Sequence, residues 1–275
     1  MERIEKILFP VDFREHCRLV AGAVASMAAR FRAEVTLVHA LDLPSGAYSD
    51  WQAFLNLVDV PSLQRHEVAK LENCLVGEMQ DVKTRRVVAE GGAARAIVEY
   101  VRERGMDLIA MPTRGLSPFR SLLLGSVTQR VLHDAVCPVW TEAHLADGGP
   151  PPTGYHSILC ALDLAPASAG VLRWAARMAK EYGARLQVIH GTEEDWPEVL
   201  RFQEERYQRV AREAEVDALF EIVGGPPLRA VIQGIRRHHA DLLVTGRGHS
   251  QGALGGLRTN VHALIRQSPC PVLSV

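Results

Sequence analysis

The chain has 275 residues, 47% of them hydrophobic, which suits two domains of ordinary size, each able to bury its own core. Its formal net charge of −1 sets up no global field for nucleic acid or an anionic membrane, and no apolar run approaches the ~18 residues of a membrane span. The five cysteines, none at CxxC spacing, read as reduced thiols of a cytoplasmic protein, and Met1–Lys6 leads straight into a strand and not into a signal peptide.

In chain order, the short apolar run Ile4–Phe9 predicts a buried strand, His16–Phe31 a helix from its apolar spacing, and Glu34–His39 a second strand. A long connection carrying Tyr48, Trp51 and Phe54 follows. Ser62–Met79 reads as a helix, Thr84–Ala89 as a strand, Ala93–Arg104 as a helix, Asp107–Met111 as a strand, Leu123–His133 as a helix and Val136–Thr141 as a last strand. Residues 144–154, with Gly148 and Gly149 before three prolines, form no core and mark a linker. Beyond it the order recurs. Strands are expected at Ser157–Leu162, Arg185–His190, Val216–Val223, Asp241–Thr245 and Val272–Val275. Helices are expected at Ala167–Tyr182, Trp196–Glu215, Leu228–His238 and Val261–Gln267. Strands alternating with helices predict an α/β fold with parallel sheets covered on both faces.

The chain also repeats itself in words. Asp107-Leu-Ile-Ala-Met-Pro-Thr-Arg-Gly115 is echoed by Asp241-Leu-Leu-Val-Thr-Gly-Arg-Gly248, Cys137-Pro-Val139 by Cys270-Pro-Val272, and Ile7-Leu-Phe-Pro-Val-Asp12 by Ile158-Leu-Cys-Ala-Leu-Asp163. A repeat of this period is too long for a solenoid unit and indicates a duplicated domain, spanning 1–143 and 155–275.

Ligands of open α/β sheets bind beyond the carboxyl ends of the strands. Asp12 and Asp163 end the first strand of each copy, His39-Ala40 and His190-Gly191 the second, and glycine loops follow Met111 and Thr245. Glycines let backbone approach a phosphate, and the helix that follows offers free N–H groups. For a lone glycine loop, a tight turn with a Ser/Thr helix cap is the blander reading.

The combination of Pro-Val-Asp12, His39, the Asp107 strand, Leu-Leu-Leu-Gly-Ser126 and the Cys-Pro-Val endings resembles the universal stress protein family, over nearly the whole chain. That resemblance implies, for each copy, a five-stranded parallel sheet with helices on both faces, Rossmann-like and similar to the adenine nucleotide alpha hydrolases. Members that bind ATP do so through Gly-x-x-Gly, nine residues, then Gly-Ser/Thr, with the first-strand Asp and the backbone after the second strand holding adenine and ribose. Carried onto this sequence, the candidate site residues are Pro10, Val11, Asp12 and Ala40, then Met111, Pro112, Arg114 and Gly115, then Gly125, Ser126 and Val127. The expected ligand is ATP or a related adenine nucleotide, with Mg²⁺ as its counter-ion.

Each copy departs from the pattern. The first keeps the spacing, but Pro112 stands where the first Gly belongs and has no N–H to donate. The second keeps Asp163, Gly191, Gly246, Gly248 and Thr259 as weaker candidates; its loop is degenerate, one residue shorter, and Arg258 replaces the Gly before Thr259.

No His/Cys/Asp cluster stands at ligand spacing, so no metal site is expected, and no nucleophile or general base is evident, so no catalytic residue is assigned. Three functions are weighed: an adenine-nucleotide-binding stress-response protein acting as switch or scaffold; a scaffold that binds no nucleotide and works through protein contacts; and a weak ATPase. The apolar endings at Cys137–Thr141 and Cys270–Val275 invite pairing as edge strands. By the family pattern, they would pair with each other and make the two copies an intramolecular pseudo-dimer. Association of two whole chains as a homodimer stays open.

Overall fold

The computed structural model describes residues 3–42, 59–113, 124–142, 153–194, 196–248 and 257–275, with side chains from residue 261 in the last stretch. The linker expected at 144–154, all but its end, and the aromatic connection with Tyr48, Trp51 and Phe54 lie outside the described residues. Ten strands and eight helices occur among those described.

The first copy supplies β1 (Lys6–Pro10), α1 (Glu15–Phe31), β2 (Glu34–Leu41), α2 (Val60–Glu72), β3 (Thr84–Glu90), α3 (Ala93–Arg104), β4 (Leu108–Pro112), α4 (Ser126–Asp134) and β5 (Val139–Glu142). The second supplies β6 (Ser157–Ala161), α5 (Ser168–Tyr182), β7 (Arg185–Thr192), α6 (Pro197–Ala214), β8 (Leu219–Gly224), α7 (Pro227–Arg237), β9 (Leu242–Thr245), α8 (Leu257–Gln267) and β10 (Val272–Ser274). The helix expected furthest beyond its observed end is α2. The helix read over Ser62–Met79 ends at Glu72, because the Asn73 amide donates to the Ala69 carbonyl at 2.8 Å and Leu75 takes a left-handed backbone with φ of 54°. Leu75 and Met79 stay buried, so the apolar spacing continued although the helix did not.

The chain forms two compact units, the first containing β1–β4 and Gly125–Cys137, the second containing Pro138–Val275 together with Leu124. In the first unit the strand order is β3-β2-β1-β4, all parallel. Ile7, Leu8 and Phe9 of β1 are wholly buried, as a strand between two neighbours must be. The apolar face of α1, with Cys17, Val20, Ala21, Val24, Met27 and Ala28, closes over β4 and β2. Because the chain steps from β1 out to β3 and then returns to β4 on the other side of β1, the strand order reverses between β1 and β4.

The second unit repeats this with β8-β7-β6-β9-β10, five parallel strands. Beyond β10 it takes in β5 from the first copy, antiparallel, with Leu273 opposite Trp140. The two endings therefore pair with each other, as the family resemblance implied, and the fifth strand of the first copy is placed with the second unit. Trp140 is fully buried and its indole N–H donates to Tyr155 Oη at 2.9 Å.

Duplicate residues brace duplicate joints. Asp107 accepts from the backbone N–H groups of Glu5 and Lys6 at 2.7 and 2.9 Å, tying the entry of β4 to that of β1. Asp241 does the same for His156 and Ser157 at 2.8 and 3.0 Å. The Asp that opens each repeated phrase is thus a strap between strands.

Candidate functional site

At the strand-order reversal of the first unit lies an open cavity of about 240 Å³. The carboxyl ends of β1, β2 and β4 supply Pro10, Val11, Asp12, Ala40, Met111 and Pro112, and the start of α4 supplies Gly125, Ser126 and Val127. Nine of the eleven residues proposed from sequence thus line one cavity. Arg114 and Gly115, the other two, lie outside the described residues.

Local sequence explains how each wall is held. Phe13 has φ of 62°, and the turn it makes lets Asp12 Oδ1 accept the Arg14 N–H at 3.1 Å, an Asx-type turn that starts α1. His39 Nδ1 donates to the Val11 carbonyl at 2.9 Å while the Val11 N–H bonds the Val38 carbonyl, so the ends of β1 and β2 are locked together. The ring of Phe13 packs against His39 at a tilt of 43° with centroids 4.3 Å apart, and Lys70 Nζ lies over the Phe13 ring 4.1 Å from its centroid. Gly125 is the N-cap of α4, no side chain among the described residues caps that helix, and its first residues, Gly125, Ser126 and Val127, line the cavity. The Gly125 N–H itself bonds the Thr113 carbonyl at 3.3 Å, which ties the helix start to the end of β4.

Asp12 carries the charge of the cavity. Its partial burial alone would push its pKa up, but hydrogen bonds from His16 and Cys17 and the neighbouring imidazole override this and hold the carboxyl well below the usual range. The Cys17 thiol donates to Asp12 Oδ1 at 3.1 Å, and burial pushes it up to about 12, so it is a protonated donor. His16 Nε2 stands 3.4 Å from Asp12 Oδ2. The expectation that no His/Cys/Asp cluster forms is therefore corrected: Asp12, His16 and Cys17 place one donor atom each within 4.8 Å of one another. Spacing alone hid this, because the three donors span a strand end, a left-handed turn and a helix start. The readable signal was Asp, i+4 His, i+5 Cys.

The second unit has a cavity of about 280 Å³ at the equivalent place, lined by Asp163, Ser168, His190, Gly191 and Gly246 and otherwise chiefly by apolar side chains such as Leu162, Val171, Val231 and Leu264. Its frame copies the first. Leu164 has φ of 55°, Asp163 Oδ1 accepts the Ala165 N–H at 3.0 Å, and His190 Nδ1 donates to the Leu162 carbonyl at 2.9 Å. The walls differ. Ser168 Oγ donates to Asp163 Oδ1 at 2.7 Å where the first unit has a thiol. Gly191 lets α7 approach, since a Cβ there would lie 2.7 Å from Pro227 Cα. Of the weaker candidates, Gly248 does not line the cavity and takes φ of 67°, and the side chains of Arg258 and Thr259 lie outside those described.

A model of the universal stress protein family matches residues 3–141 and again 154–275. The chain belongs to the universal stress protein family. It is 30% identical over 139 residues to a universal stress protein of Methanocaldococcus jannaschii, covering 49% of this chain and 79% of the relative. It is 31% identical over 134 residues to one of Thermus aquaticus, covering 48% of this chain and 94% of that protein. Each such relative thus corresponds to a single copy. Among solved structures, a universal stress protein of Archaeoglobus fulgidus superposes with a TM-score of 0.72 at 22% identity, covering 99% of this chain and 96% of that one. One of Pseudomonas aeruginosa reaches 0.67 at 16% identity, covering 99% and 93%. At these identities the two structures speak for the fold of a whole tandem universal stress protein. No helix among the described residues is long and apolar enough to cross a membrane.

Proposed function

We propose that this universal stress protein binds an adenine nucleotide, ATP with Mg²⁺ in the first instance, in its first unit, and acts as a switch or scaffold. The observation that carries this is the convergence of Asp12, Ala40, Met111 and the uncapped start of α4 at Gly125-Ser126 around one open cavity. Bare N–H groups at a helix start suit phosphate, and Asp12, held ionised, offers an acceptor for a ribose hydroxyl or an amino group. Ser126 adds a hydroxyl at the same end. No residue is assigned a catalytic role, so binding is read as a signal and weak ATP hydrolysis as secondary.

The second unit is read as supporting. Its glycine loop is one residue shorter, Arg258 replaces the Gly before Thr259, and Ser168 engages the carboxylate of Asp163. The antiparallel pairing of β5 with β10 supports an intramolecular pseudo-dimer of copies 1–143 and 155–275. The five free thiols support a reducing, cytoplasmic setting. The competing reading, a scaffold that binds no nucleotide, is favoured by Pro112, which removes one N–H from the phosphate loop. One lost charge-assisted hydrogen bond costs about 1.5–3 kcal/mol, or roughly ten- to a hundredfold in affinity.

Isothermal titration with ATP and Mg²⁺, alongside Gly125→Arg, separates these readings. A Cβ at Gly125 would sit 3.5 Å from the Thr113 carbonyl, an ordinary contact, so the variant is expected to fold while its side chain fills the phosphate end. Saturable binding near one equivalent per chain, abolished by Gly125→Arg, is the expected result. An absence of heat at millimolar ATP, with protein shown free of carried nucleotide, leaves the scaffold.

A further inference from the structure

We propose that Asp12, His16 and Cys17 bind one divalent transition-metal ion of the zinc class, and that only the first copy does so. Three donors of different chemistry meet at one point: a carboxylate at the end of β1 and an imidazole and a thiol in the opening turn of α1. Their donor atoms lie within 4.8 Å of one another. Tetrahedral ligands bonded to one zinc ion at about 2.0–2.3 Å stand about 3.5 Å apart. Asp12 already lies 3.1 Å from Cys17 Sγ and 3.4 Å from His16 Nε2, so rotation of the side chains by about an ångström at most completes the site.

His16 supplies an independent observation. Its ring is only 7% exposed, Nε2 reaches Asp12 no closer than 3.4 Å, and Nδ1 has no partner among the described residues. A buried imidazole with one ring nitrogen unpartnered, and the other only loosely paired with Asp12 at 3.4 Å, is under-satisfied, and coordination of a cation shared with Asp12 strengthens that weak pairing.

The second copy shows that the fold does not require these side chains. The same left-handed turn and the same Asp-to-backbone bond are built there with Ala167 and Ser168 in place of His16 and Cys17. A hydroxyl suffices to brace Asp163. The first copy thus carries a nitrogen and a sulfur donor that its architecture can do without. A sulfur, nitrogen and carboxylate set favours Zn²⁺, Co²⁺ or Fe²⁺ over Mg²⁺ or Ca²⁺, which take oxygen ligands. All three residues line the cavity, so a fourth coordination position opens toward it for water or an anionic group of a ligand.

The binding step balances simply. The Cys17 S–H bond breaks and its proton leaves to solvent, a sulfur–metal bond forms, His16 gives a lone pair and Asp12 binds as the carboxylate it already is. Nothing in this step needs nucleotide.

Titrating the reduced, metal-free, nucleotide-free protein with Co²⁺ tests it. One equivalent is expected to bind with a thiolate-to-cobalt charge-transfer absorption that Zn²⁺ displaces. In the double variant His16→Ala, Cys17→Ser, which writes the second copy's own pair into the first, the band is expected to vanish and affinity to fall by on the order of a hundredfold or more. Cys17→Ser alone is expected to lose the charge-transfer band. Circular dichroism and a thermal melt establish that each variant is folded. No band at millimolar Co²⁺ in the parent, or a band that survives in the double variant, overturns the proposal. ATP titration of the metal-free parent reads the nucleotide site on its own, so failure of the metal proposal and failure of the nucleotide reading are told apart although both draw on Asp12.

Discussion

At the scale of residues, the duplication separates scaffold from function. Asp107 and Asp241 strap strand entries, and His39 and His190 lock the ends of paired strands in both copies, so these repeated residues are architectural. Asp12 and Asp163 share the backbone task and differ in company: His16 and Cys17 in one, Ala167 and Ser168 in the other. The positions of the first-unit candidates were legible because strand ends and glycines are local signals. The cluster around Asp12 was not, since convergence there depends on a left-handed turn at Phe13. His190 carries a pH prediction. Burial, assisted by the charge of Arg206, lowers its pKa below 6.5, outweighing the Leu162 carbonyl and Asp163, which raise it. Between the folded value and 6.5 the unfolded chain binds more protons, so stability rises with pH across that window and is lost as pH falls through it. His190→Asn, which keeps a donor for the Leu162 carbonyl, is expected to flatten this slope in denaturant melts run at a series of pH values. An unchanged slope would show that His190 is not its source.

At the scale of elements, strands and helices were readable from period alone, because fully apolar short runs and a stripe of apolar residues bury differently. Where tertiary demands intervened, the reading slipped. The helix α2 stopped at Glu72 although its apolar spacing ran on to Met79, since side-chain capping and a left-handed residue ended it. The closeness of α7 to β7 is another tertiary fact. Gly191 lines the second cavity as a candidate ligand contact, and its lack of a side chain also lets Pro227 approach. Gly191→Ala is expected to cost about 1–3 kcal/mol in a urea titration, because the clash is with backbone and cannot be relieved by a rotamer. Gly125→Ala, with only an ordinary contact waiting, is expected to stay within about 0.5 kcal/mol of the parent. Equal effects at both sites would remove the distinction between a glycine that packs tightly against backbone and one with room beside it.

At the scale of the whole chain, two copies of one fold share a strand arrangement but not a partition, since β5 is placed with the second unit against β10. Trp140 sits on that strand, fully buried and bonded to Tyr155. Trp140→Ala is expected to cost about 3–5 kcal/mol, with loss of amide protection by hydrogen exchange concentrated in β9 and β10 and not in β1–β3. A uniform loss across all strands would contradict that placement. The duplication, the α/β alternation and the family were determined by the sequence itself, because repeats, periodicity and glycine spacing are properties of the chain read in line. Tertiary structure alone decided which unit took β5, how closely Pro227 packs on Gly191, and that Asp12, His16 and Cys17 meet at one point. Those outcomes depend on backbone turns and on contacts between residues distant in sequence, and no linear pattern encodes the distance between two side chains.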